Sequence, residues 1–123
     1  MKIVNFENEF NDAVKKAASE EYKRVRKELL AANQNEAAEI LGHDMRHYQR
    51  LESGEGTPNL SKHFSNIFTL LRHYAQNVFK DNKGTSIINA YEGTSDEEKA
   101  EQYAQEEARN VIMRVISRGG KND

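Results

Sequence analysis

The stretch "NQNEAAEILGHDMRHYQRLESGEG", residues 33 to 56, constrains what this chain can fold into more than any other. Its apolar residues recur at helical spacing, stop at Gly42, restart after Asp44 and stop again at Gly54. Asn33 has the chemistry of an N-cap, and Glu36 three residues on completes the spacing of a capping box. Ala37, Ala38, Ile40 and Leu41 give the first helix a buried face, and Gly42 suits the left-handed residue that ends it. Asp44 caps a second helix whose inward residues are Tyr48 and Leu51, with Met45 at its exposed start. Two helices of about eight residues each are too short to be stable alone. Other elements must hold them.

The rest of the chain supplies such elements. Val14, Ala17, Ala18, Tyr22, Val25 and Leu29 make one apolar stripe at three- and four-residue steps. This predicts a helix starting after Asn8 or Asn11 and running for about twenty residues, or two helices meeting near Ser19. Upstream, Ile3, Val4, Phe6 and Phe10 read as an ordered arm, a candidate for swapping between copies. "SGEGTPN" is a turn by composition. Leu60, Phe64, Ile67, Phe68, Leu70, Leu71, Tyr74, Val78 and Phe79 predict another long amphipathic helix, the richest apolar stretch of the chain. "KDNKGTS" reads as a loop, and "IINAY" as either a short strand or an extended packing segment. The last helix opens with the capping-box spacing Ser95 to Glu98, and its acidic first turn suits the helix dipole. Its stripe of Ala100, Tyr103, Ala104, Ala108, Val111, Ile112, Val115 and Ile116 has a period that fits either a core or an oligomer seam, and "RGGKND" frays.

Composition sets the outer bounds. A chain of 123 residues is one domain, or one small domain with helical extensions. With 37% apolar and 31% charged residues it can build a modest core, which excludes wholesale disorder. A core of that size is marginal, and a dimer interface helps to stabilise it. The single Pro and the many good helix formers favour an all-α fold. The absence of Cys excludes a disulfide framework and thiolate metal sites. There is no long apolar run, and charges interrupt the apolar residues of "MKIVNFENEF", so no signal peptide and no membrane association are expected. The expected location is cytoplasmic. The net charge of −2 hides an uneven distribution. Glu92 to Glu107 holds seven acidic residues against one Lys, whereas most Lys and Arg, and all four His, precede it. That pattern is compatible with DNA binding in the front part alone.

The opening stretch resembles the lambda-repressor-like helix-turn-helix family, of the Cro and xenobiotic-response-element type. Members carry Gln at the start of the second helix, Ala four residues on and Gly at eight. An apolar residue follows at fourteen, an aromatic or Leu at seventeen, Glu at eighteen and Gly at twenty. Here those positions are Gln34, Ala38, Gly42, Tyr48, Leu51, Glu52 and Gly54, with Pro58 following as the family's turn requires. The match runs ungapped from about Tyr22 to Tyr74. Asp44 stands where the family usually has Ser or Thr, which sets a negative charge near phosphate, and His43 where it has an apolar turn residue.

The resemblance implies a division of the chain and a role for each site residue. Residues 1–21 form an N-terminal arm and helix extension, 22–79 the helix-turn-helix DNA-binding domain, and 86–118 a C-terminal dimerisation or packing segment. The expected fold is a lambda-repressor-like helix-turn-helix core with a long N-terminal helix and a C-terminal amphipathic helix. By motif position, base reading in the major groove falls on Met45, Arg46, Gln49 and Arg50, the two Arg being suited to bidentate contact with guanine. Phosphate contacts fall on Gln34, His47, Asn59, Ser61 and Lys62. Glu52 is expected to bridge neighbouring helices. Without the motif, Arg46 and Arg50 read as solvated surface residues.

The implied function is a sequence-specific transcriptional regulator, a repressor that binds a palindromic operator on double-stranded DNA as a homodimer. Autoregulation fits, as in a mobile-element regulator or an antitoxin, the latter with a protein partner. The competing reading is a protein-interaction module on a helix-turn-helix scaffold. His43 and His47 have metal-ligand spacing but no third ligand in sight, so no metal is expected. Because His titrates near neutrality, DNA affinity is expected to rise as pH falls from 8 to 6. No nucleophile–base pair, phosphate loop or zincin pattern occurs, so neither an enzyme nor a cofactor is expected.

Overall fold

The computed structural model describes residues 2–55, 59–80 and 95–119. Among them the fold is all helical, with five α-helices and no strand. These are α1 (Lys2–Arg24), α2 (Gln34–Leu41), α3 (Met45–Ser53), α4 (Leu60–Lys80) and α5 (Asp96–Gly119). No described helix is long and apolar enough to cross a membrane. Lys80 ends α4 instead of opening a loop, and Arg118 and Gly119 continue α5 instead of fraying; the expectations for the rest of "KDNKGTS" and "RGGKND", for "IINAY" and for Pro58 lie outside the described residues.

The first helix corrects the reading of an arm. It begins at Lys2 and runs unbroken past Ser19, because no Gly or Pro interrupts the backbone and Asn8 and Asn11 only mildly disfavour a helix interior. It then widens into a π-helical turn, Val25–Leu30, which ends at Ala31 with the left-handed angles φ 50 and ψ 43. The Ala32 amide closes this end on the Arg26 carbonyl at 3.0 Å. Val14, Ala17, Ala18, Tyr22 and Val25 are buried as the stripe predicts.

One cluster of buried side chains extends from Val14 to Val115 and draws on every helix. In α4 the inner face is Ile67, Leu70, Leu71, Ala75 and Val78. The register departs from expectation by one position near the N-terminus: His63 is buried and Phe64 is exposed. Counting back four residues from Ile67 gives His63, so the inner face passes through the polar residue and leaves Phe64 to one side.

The stripe of α5 is core in part, with Tyr103, Ile112 and Ile116 half-buried. Ala100, Ala104, Ala108, Val111 and Val115 are buried, and the helix packs along α4 and α1. Small residues at four-residue steps let helix backbones approach closely. Glu21, also buried, ties α1 to α5 by accepting hydrogen bonds from Arg114 at 3.1 and 3.4 Å, and it accepts from Arg24 at 3.1 Å. Burial alone would raise its pKa, but the hydrogen bonds and charges of Arg114 and Arg24 outweigh that and hold it below the ordinary value.

Candidate nucleic-acid interface

Local chemistry explains why α2 and α3 start and stop where they do. The Glu36 amide donates to Asn33 Oδ1 at 2.8 Å, and the Asn33 amide donates to Glu36 Oε1 at 3.1 Å, the reciprocal pair of a capping box. Gly42 ends α2 at φ 71, and the His43 amide reaches back to the Ala38 carbonyl at 2.9 Å. A Cβ at Gly42 would meet nothing within 4 Å, so the positive φ, not crowding, selects glycine there. Asp44 starts α3 by accepting from the His47 amide at 2.7 Å. Gly54 ends it at φ 79.

Three residues anchor α3 from beneath: Tyr48, Leu51 and Glu52 are all buried. Tyr48 meets Tyr22 of α1 edge to face, with ring centroids 6.3 Å apart. Glu52 accepts from Arg26 Nε at 2.5 Å and Arg26 Nη2 at 3.0 Å, a two-pronged contact. Arg26 also donates to the Ala32 carbonyl at 3.1 Å, so one guanidinium holds the end of the π-helical turn and the underside of α3 together. Burial would raise the Glu52 pKa, but hydrogen bonds from Arg26 and Gln34 and the Arg26 charge hold the carboxyl below its ordinary value. Among the described residues the Tyr48 hydroxyl has no partner at hydrogen-bonding geometry, and burial beside Glu52 raises its pKa well above the usual phenol range.

With that face inward, the opposite face of α3 carries Met45, Arg46, Gln49 and Arg50, all exposed. Neither Arg46 nor Arg50 has an ion-pair partner among the described residues. The two guanidiniums, four residues apart on one helix face, are free to meet an outside acceptor.

The residues expected at phosphate divide into two kinds. Ser61 and Lys62 lie exposed in the first turn of α4, and His47 is exposed on α3. Gln34 and Asn59 already have internal roles. Gln34 Nε2 donates to Glu52 Oε1 at 3.1 Å, and Gln34 Oε1 accepts from Gln49 Nε2 at 3.2 Å. Its side chain thus connects the buried ion pair to the outer face of α3. Asn59 Oδ1 accepts from the Lys62 amide at 2.9 Å and so caps α4.

The His43 and His47 rings are tilted against each other with centroids 4.3 Å apart. Burial first, then the charge of His47, lowers the pKa of His43. No group of three or more His, Asp or Glu side chains converges as a metal site among the described residues.

Sequence reasoning missed Arg26, 26 residues from Glu52 along the chain, and the pairing of Glu21 with Arg114, 93 residues away. No local periodicity signals contacts at such separations. Comparison with protein-family models, with curated proteins and with solved structures finds no match to this chain.

Proposed function

We propose that this protein is a sequence-specific DNA-binding transcriptional regulator built on a lambda-repressor-like helix-turn-helix. The observation that carries the reading is the outer face of α3, where Arg46 and Arg50 stand exposed and, among the described residues, without an ion-pair partner, above an inner face locked by Tyr48, Leu51 and Glu52. A helix held so rigidly from below can lie in the major groove, where Arg46 and Arg50 make bidentate contacts to guanine O6 and N7. Met45 and Gln49 flank them, Gln49 being steadied by Gln34. His47, Ser61, Lys62 and the Gln34 amide at the start of α2 meet phosphate and set the register without reading sequence. A unit this short reads few base pairs, so pairing on a palindromic operator supplies the affinity. Repression is then steric, by occupying a promoter, its own included if the chain is a mobile-element regulator or an antitoxin.

Selection of bound sites from random duplex DNA tests this. The expected result is a palindrome with half-sites about one helical turn, roughly 34 Å, apart or a multiple of it. A pool that shows no enrichment after repeated rounds would sink the reading and favour a protein-interaction module.

A further inference from the structure

Phe64 is one of three large apolar side chains exposed among the described residues, at 37% exposure. With Phe68 and Arg72 it forms a row along one face of α4 at four-residue steps. The two rings stack with centroids 6.4 Å apart and planes 10° from parallel. The Arg72 guanidinium lies 5.4 Å over the Phe68 ring and has no ion-pair partner among the described residues. Beside Arg72, α2 and α4 leave an open hollow of about 340 Å³ lined by Glu39, Ile40, Thr69, Arg72, His73 and Gln76. The protruding ring and the hollow are about 12 Å apart along the same helix, two turns of rise.

We infer that this face is where a second copy of the chain docks. Each α4 lies antiparallel to the partner's α4 about a two-fold axis near Phe68, and each Phe64 enters the partner's hollow against Ile40 and Arg72. The row itself argues for this occupant. It reads aromatic, aromatic, cation, so an antiparallel copy sets the aromatic end on the cationic end twice over, each guanidinium lying between two rings. A parallel copy would set Arg72 on Arg72. A two-fold interface must be self-complementary, and this surface carries both the knob and the hole. Aromatic and Arg side chains are also those enriched at interface centres. Along α5, Ala104, Ala108, Val111 and Val115 are committed to the chain's own core. Met113 and Met45, the other large apolar residues exposed among the described residues, do not line this hollow.

The inference deepens the homodimer of the proposed function and rests on that reading for the pairing, not for the DNA contact. Sedimentation equilibrium of the full chain tests it over micromolar to millimolar concentrations, with circular dichroism recording helix content. The wild type is expected to show a concentration-dependent monomer–dimer equilibrium. Phe64→Arg sets like charges together at both ends and lowers the association constant by about tenfold or more. Phe64→Ser weakens it too, so the outcome does not hang on one variant. Phe64→Arg combined with Arg72→Phe reverses the row and restores association, whereas Met113→Arg on α5 leaves it unchanged. A wild type that stays monomeric throughout overturns the inference. So does Phe64→Arg associating as tightly as wild type, or a folded reversed-row variant that stays monomeric. Binding to a duplex with a single half-site, at concentrations where the chain is monomeric, reports the DNA reading separately.

Discussion

Arg26 at the end of the first helix grips Glu52 on the underside of α3 with two hydrogen bonds, and both side chains are nearly shut off from solvent, at 11% and 4% exposure. The pair fixes α3 against the helix that carries the core, and Gln34 extends it to Gln49 on the outer face. A charge buried in this way is tolerable only while its partner is present.

Glu52→Ala is therefore expected to destabilise the fold by about 3–5 kcal/mol, because it leaves Arg26 charged and unmatched. Replacing both, as Arg26→Met with Glu52→Leu, is expected to recover most of that loss, since the desolvation penalty disappears with the charges. Urea unfolding of the wild type and the two variants checks this. If the double variant is no more stable than Glu52→Ala, the pair does not act as a unit.

Arg46→Ala and Arg50→Ala remove exposed side chains that make no described contact, so the urea midpoint should stay at the wild-type value. Affinity for the selected operator is expected to drop about ten- to hundredfold for each, with loss of sequence preference in the pair. Lys62→Ala should instead weaken all duplexes alike and flatten the dependence on salt. Titrations at two salt concentrations separate these outcomes.

Gly42→Ala is expected to cost about 1 kcal/mol, from the positive φ alone, since a Cβ there touches nothing. Gly42→Asn should cost less, because Asn adopts left-handed angles more readily. Thermal melts that ranked Asn below Ala would show that φ is not what selects glycine at this turn.

Stability should fall as solutions are acidified through the histidine range. His63 is buried, its Nδ1 2.8 Å from the Tyr22 hydroxyl and its Nε2 without a partner among the described residues; burial first, then the charge of Lys15, lowers its pKa. The unfolded state, protonating near the ordinary 6.5, then binds more protons than the fold below that value. Stability contributed by neutral His63 is thus full above about pH 7 and diminishes as pH drops below about 6.5. His43 adds to the same trend. Glu21 and Glu52, whose pKa values are lowered, add stability above the ordinary 4.5 that is lost at more acid pH. Urea midpoints from pH 8 to 5 check the histidine part, and His63→Gln should flatten that slope. An unchanged slope would remove His63 from the account.

Much of this architecture was legible because it is written in short-range chemistry. The cap at Asn33, the stop at Gly42, the cap at Asp44 and the stop at Gly54 are each set by residues within a turn of one another, and each forms as read. The inward faces of α1, α3 and α5 follow from 3.6-residue periodicity in the same way. The helical start at Lys2 was not legible, since Asn8 and Asn11 resemble caps when only their neighbours are considered.

The candidate site divides along the same line. Which residues of α3 point outward could be read from Tyr48 and Leu51 alone, because a helix that buries one face exposes the other. That Gln34 would bind Glu52 and Gln49, that Arg26 would brace the whole arrangement, and that α5 would fill its stripe inside the chain could not. By itself the sequence determined the helices, their ends and their buried faces, which depend on interactions within a few residues. Only the tertiary structure decided which buried charges meet, whether His63 or Phe64 turns inward, and what surface is left for a partner. Those outcomes depend on how separate helices pack, and chain spacing carries no record of that.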